Sequence, residues 1–219
     1  MPEAAPVDFS DLRSRYPILP DTPLIRAAFD RARTHSAPYL FNHVARSWLF
    51  AEQIGQMRGR PYDREVVAVA TLLHDMGLTD AAPGPNRFEV NGANAAADFV
   101  RTLGLDDRRA QLVWDGIALH ATASISFHKE IEVALCARGI SVDFGGPDFS
   151  ALAPQMGDIV QALPRLDMKR QFRACCIQMA QTRPETTYDN FIRDFGLRFV
   201  AGYTPPSSVD RIMGAPFPE

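Results

Sequence analysis

The run from Val66 to Leu73 carries no charged side chain and a single polar one, Thr71, and it ends directly on His74-Asp75-Met76-Gly77. A stretch that apolar predicts a helix buried on most of its surface, which commits the fold to surrounding it. An aspartate at its end is costly unless something neutralises it, because an unpaired charge taken out of water loses its hydration. A divalent cation would do so. His74 and Asp75, about 100° apart around a helix, reach one ion from two directions and form a chelate.

The rest of the chain reads as helix as well. Thr22-Pro23 predicts an N-cap with proline at N1, opening a helix through about Arg33, and Ser36 with Pro38 opens a longer one. On that second helix Tyr39, His43, Arg46 and Ser47 fall on one face. Gly59-Arg60-Pro61 ends it, Asp63 caps the apolar helix, and Gly77 stops that helix. Further helices are predicted from about Glu89 to Leu103, from Asp106 toward His120, over residues 130–142, from about Asp167 to Gln181 and from about Tyr188 to Val200, with a less regular stretch between Pro147 and Pro164. No strand alternation of useful length occurs. The expectation is an all-α fold of about eight helices, with an N-terminal arm over residues 1–22, a helical domain over 23–203 and a C-terminal tail over 204–219.

Composition excludes several partners. With 219 residues, 46% of them apolar and 22% charged, the chain can bury one sizeable core. A net charge of −3 and 23 scattered basic residues give no electrostatic footprint for nucleic acid. The N-terminus has no basic and apolar leader, and no window approaches membrane-spanning length, so no membrane partner and a cytoplasmic location are expected. Cys136, Cys175 and Cys176 suit neither a disulfide nor a C-x-x-C site and read as reduced thiols. The Phe-rich C-terminal helix, with Phe191, Phe195 and Phe199, is a candidate face for homo-oligomer pairing or for plain core packing.

An ion held by His74 and Asp75 needs more ligands, and His43 and Asp143 are the candidates. The order is His43 within Asn42-His43-Val44-Ala45-Arg46, then Leu72-Leu73-His74-Asp75-Met76-Gly77, then Asp143. In this it resembles the HD-domain metallohydrolase superfamily. Over roughly residues 35–145 the stretches Arg87-Phe88-Glu89-Val90-Asn91-Gly92-Ala93 and Ile117-Ala118-Leu119-His120-Ala121-Thr122 are similar to the cyanamide hydratase-like branch, with Asn91 where that branch has an aspartate. The resemblance implies a single HD-type domain and the metal ligands His43, His74, Asp75 and Asp143.

Two imidazoles and two carboxylates leave a divalent ion with open positions, the arrangement for activating water rather than for a closed structural site. Zinc is the first expectation; iron(II), manganese and nickel also accept mixed His and Asp ligands, and spacing alone does not choose among them. The leading expectation is a hydratase that adds water to a small nitrile-like substrate, by resemblance cyanamide to urea, through a metal-activated hydroxide. Asp75, Glu89 and His120 are its expected catalytic residues, Glu89 and His120 moving protons. Arg46, Trp48, Phe88, Trp114 and His128 are expected around the substrate. The alternative is phosphohydrolysis of a nucleotide or other small phosphomonoester, with Arg46, Arg87 or Lys129 holding phosphate. If His120 and His128 were also ligands, six donors would allow a second metal and a two-iron oxygenase. A non-enzymatic ligand sensor is the remaining reading.

Overall fold

The computed structural model describes residues 7–217. Among them the chain is all-α, with twelve α-helices, two short 3-10 turns and no strand. Contacts within the chain form two compact units, one up to Met168 and one from Lys169 onward.

The first unit comprises α1 (Phe9–Arg15), α2 (Pro23–His35), α3 (Pro38–Arg58), α4 (Arg64–Leu73), a 3-10 turn at Met76–Leu78, α5 (Phe88–Thr102), α6 (Asp107–Ala118), α7 (Ala123–Ser126), α8 (Ile131–Val142) and α9 (Phe149–Ala162). Helix α4 is buried from Val66 to Leu73, enclosed by α2, α3, α6 and α8. Its start is fixed as the sequence predicts: the Asp63 carboxylate accepts hydrogen bonds from the backbone N–H of Glu65 and Val66. Helix α3 is buried without a break from Tyr39 to Glu52, and it lies against α8 and α4. Two glycines set how closely these helices approach. A Cβ at Gly139 of α8 would stand 2.4 Å from the Ser47 carbonyl oxygen on α3, and one at Gly116 of α6 would stand 3.0 Å from Ala70 Cβ on α4. Larger side chains at either place would push the helices apart.

The second unit holds α10 (Met168–Thr182), whose first residue closes the first unit, a 3-10 turn at Pro184–Thr187, α11 (Ile192–Phe199) and α12 (Ser208–Met213). Within it Phe172 stacks on Phe191 at 6.1 Å, and Tyr203 meets Tyr188 edge-on at 5.4 Å and shares a 2.7 Å hydrogen bond with Thr187. The rings of Phe191, Phe195 and Phe199 follow one another at 6.4 and 6.3 Å, and Phe199 is half-exposed. No helix of the described residues is long and apolar enough to cross a membrane.

Several local expectations are corrected. Twelve helices replace about eight: α1, α7 and α12 are short, and α9 fills the stretch expected to be irregular. Phe9 and Leu12 bury one face of α1 inside the stretch read as an arm. The stretch between Pro147 and Pro164, expected to be irregular, is α9: Leu152, Ile159 and Leu163 form a buried stripe, and that burial outweighs the hydrogen bond lost at Pro154. Ser36 closes α2 instead of opening α3, and Ala37 takes the N-cap before Pro38. Residues 188–191 stay outside α11 because the Asn190 side chain accepts from the Ile192 N–H, an alternative to helical bonding. Helix α4 stops at Leu73 rather than at Gly77, which lies within the 3-10 turn.

Candidate metal centre

The close approaches at Gly139 and Gly116 determine what meets one helical turn further on. From the Ser47–Gly139 contact, one turn back along α3 is His43 and one turn on along α8 is Asp143. From the Ala70–Gly116 contact, one turn on along each helix lie His74 and His120, with ring centroids 4.8 Å apart. A third close approach adds α5: a Cβ at Gly77 would sit 1.9 Å from the Phe88 carbonyl oxygen, so the start of α5 lies directly on the turn after Asp75.

His43, His74 and Asp75 are all buried, and they offer ligand atoms within 4.8 Å of one another. His74 Nε2 stands 3.3 Å from Asp75 Oδ2, His43 Nε2 stands 3.7 Å from the same oxygen, and His120 Nε2 stands 4.0 Å from Asp75 Oδ1. Each ring is tied by its other nitrogen. His74 Nδ1 donates to the Thr71 carbonyl at 2.8 Å, His120 Nδ1 to the Ile117 carbonyl at 2.7 Å and His43 Nδ1 to Asp143 Oδ2 at 2.7 Å. In a neutral ring held that way Nε2 carries a lone pair, not a proton. In that form the Nε2 atoms of His74 and His43 meet Asp75 Oδ2, and that of His120 meets Oδ1, as acceptor against acceptor; Asp75 Oδ2 is buried with no hydrogen-bond partner.

Protonation follows from the surroundings. Burial pushes the His43 imidazole below its ordinary value, and burial with the neighbouring His74 lowers His120 to about 4. Burial works against the Asp75 carboxylate, but the imidazoles of His74, His43 and His120 outweigh it and hold its carboxyl below the usual range. An ionised aspartate is the state that binds a metal without first releasing its own proton.

Asp143 is differently placed. Its Oδ1 accepts from Arg46 Nε at 2.9 Å and from Arg165 Nη1 at 2.7 Å, and its Oδ2 accepts from Arg46 Nη2 at 2.7 Å as well as from His43. Burial acts to raise its carboxyl, and His43 and Arg46 hold it well below the usual range. Arg46, fully buried, also donates to the Leu163 carbonyl at 2.8 Å. It is thus an anchor between α3, the end of α8 and the loop after α9.

The other candidates separate into neighbours of the centre and outliers. Phe88 is buried with its ring 5.7 Å from that of His120. Glu89 beside it is fully buried and bonded by Arg87 through both oxygens, at 2.8 and 3.1 Å. Trp48 belongs to the core, stacked on Phe9 at 6.3 Å. Trp114 donates to Asn94 Oδ1 at 2.8 Å between α6 and α5. His128 is exposed on the turn after α7. Sequence reasoning did not single out Arg165, which has no motif around it, nor the Thr71 and Ile117 carbonyls, whose part is visible only once the rings are placed. The half-exposed ring of Phe144 lies 5.1 Å from that of His43, so the centre sits one ring's thickness below the surface. Comparison with protein-family models finds no match, and neither does a search of curated proteins.

Proposed function

We propose that the chain is a metal-dependent hydratase with an HD-type helical domain, holding one divalent ion, zinc in the simplest case, and adding water to a small nitrile-like substrate, as in the conversion of cyanamide to urea. The observation that carries this reading is the orphaned Oδ2 of Asp75, buried, without a hydrogen-bond partner and faced by the Nε2 atoms of His74 and His43 at 3.3 and 3.7 Å. Ligand atoms around a single zinc stand about 3–3.5 Å apart, given bonds of about 2.1 Å, and the distances here need little closing to reach that. A divalent ion in such a place supplies Lewis acidity, polarising a nitrile or bringing the pKa of a ligated water to about 7.

The protein's own groups fit that reaction. His43 and His74 are presented through Nε2 by the bonds at Nδ1. Glu89 would take the proton of the attacking water and return it to the nitrile nitrogen as the C–O bond forms, with Arg87 fixing both of its oxygens in place. Phe88 and the buried setting exclude bulk water, and a centre whose ligands are nearly inaccessible suits a substrate of a few atoms. Phosphohydrolysis calls on a cation for the phosphate. Arg46, Arg87 and Lys129, the residues available for it, are each bonded to carboxylates already: Asp143, Glu89, and Asp115 with Glu130. The neutral substrate is favoured on that ground.

Protein purified without chelators is expected to hold one equivalent of metal by elemental analysis, and His74→Ala or Asp75→Ala to hold none; a full equivalent in either variant would refute the ligand assignment. The loaded enzyme is expected to release urea from cyanamide, and Glu89→Gln to keep the metal and lose turnover. Metal without urea release would retain the centre and discard the nitrile.

A further inference from the structure

We infer that His120 completes the metal's protein ligands alongside His43, His74 and Asp75, and that Asp143 is a positioning residue that aims His43 and does not touch the ion. The inference rests on the metal reading above and departs from the ligand set that the sequence suggests.

Counting lone pairs separates the two aspartates. A carboxylate has about four in-plane acceptor positions. On Asp143 all four are matched by donors: Arg46 Nε and Arg165 Nη1 on Oδ1, Arg46 Nη2 and His43 Nδ1 on Oδ2. To ligate, it would have to give up a bond to a fully buried guanidinium or to the ring that it orients. The group of ligand atoms gathered within 4.8 Å holds His43, His74 and Asp75 and leaves out both Asp143 and His120, so the choice between those two rests on which of them has its polar atoms already matched. A carboxylate on the far nitrogen of a ligating imidazole is a common way to fix the ring and raise its basicity.

His120 is in the opposite condition. Its Nδ1–H is held by the Ile117 carbonyl, as His74 is held by Thr71, so the two rings reach their places by the same backbone device, a bond to the carbonyl three residues earlier. Its Nε2 is turned to Asp75 Oδ1 at 4.0 Å, the oxygen that the other two rings do not face. Three imidazoles then stand within 4.0 Å of the Asp75 carboxylate, which is their shared neighbour.

Counting imidazoles on the bound metal tests this directly. X-ray absorption at the zinc edge of the zinc-loaded protein is expected to show three rings, and two rings would overturn the inference. His120→Asn is expected to lower the count to two; a count of three in that variant would overturn it as well. Asp143→Asn is expected to keep three rings and one equivalent of zinc with affinity weakened about 10- to 100-fold. Complete loss of zinc from folded Asp143→Asn, with His120→Asn unchanged in affinity, would return Asp143 to the ligand set. Should Asp143→Asn not fold, the ring counts of the wild type and His120→Asn decide. Failure of the wild type to bind zinc or any other divalent ion would instead remove the metal reading itself, a different result from a count of two.

Discussion

The ends of α4 and α8 each carry a buried aspartate beside the same histidine, and the two are opposites. Asp75, 3% exposed, faces His43 Nε2 and has an oxygen with no hydrogen-bond partner; Asp143, 8% exposed, accepts from His43 Nδ1 and from two arginines. Two further carboxylates are buried among the described residues, Glu52 and Glu89, and each has an arginine, Arg64 and Arg87. Asp75 alone of the four has none. Asp143, held by the fully buried Arg46 and by Arg165, is scaffold, because its charge is already matched within the chain. A buried acid surrounded by imidazole lone pairs is complete only when a cation arrives from outside, and that makes it a site.

The largest test of this difference removes the arginine from the scaffold side. Arg46→Met would leave Asp143 buried with Arg165, which is partly exposed, as its remaining guanidinium. Breaking a fully buried ion pair from one side typically costs about 3–5 kcal/mol, and urea denaturation of metal-free protein is expected to show a loss of that size. A loss below about 1 kcal/mol would mean that the clamp resembles a surface pair, and the contrast with Asp75 would lose its energetic basis.

Glycines near the two helix ends give the next test. Gly77→Ala places a methyl 1.9 Å from the Phe88 carbonyl oxygen, a contact with backbone that no side-chain rotation relieves. The expected cost is about 3 kcal/mol, the upper part of the range for overpacking an interior. Gly145, just past α8, has φ of 81° with nothing within 4 Å of an added Cβ, so Gly145→Ala pays only for the left-handed backbone, about 1 kcal/mol. Equal losses in thermal denaturation would show that α5 does not depend on the close approach at Gly77, and with it the seating of Phe88 and Glu89.

The same contrast explains how much was legible in the sequence. The apolar run to Leu73, the caps at Thr22, Asp63 and Asp106, and the all-α class follow from local pattern, and the helices obey it. His43, His74 and Asp75 were also legible, because apolar surroundings made their polarity conspicuous. Which aspartate was saturated was not, since that depends on Arg46 and Arg165 reaching Asp143 from 97 and 22 residues away. Helix α9 was hidden by Pro154, and only the stripe Leu152, Ile159 and Leu163 argues for it.

The smallest effect tests how good an arginine must be to make a carboxylate scaffold. Arg64 bonds Glu52 at 2.7 Å but is 40% exposed, whereas Arg46 is fully buried against Asp143. Water screens the first pair and not the second. Accordingly burial raises the Glu52 carboxyl above its ordinary 4.5 although Arg64, Tyr62 and Trp48 work the other way, while Asp143 is held low. The sign for stability follows. Between 4.5 and the raised folded value the unfolded chain ionises Glu52 before the folded protein does. Folded protein therefore binds more protons in that window, and stability falls as pH rises through it. Glu52→Gln removes the titration, so the stability difference between variant and wild type, followed by urea denaturation from pH 4.5 to neutrality, is expected to shift in the variant's favour as pH rises and then level off. A difference that stays flat across the window would mean that Arg64 neutralises Glu52 as fully as Arg46 neutralises Asp143, and that exposure of the cation does not grade the buried acids of this core.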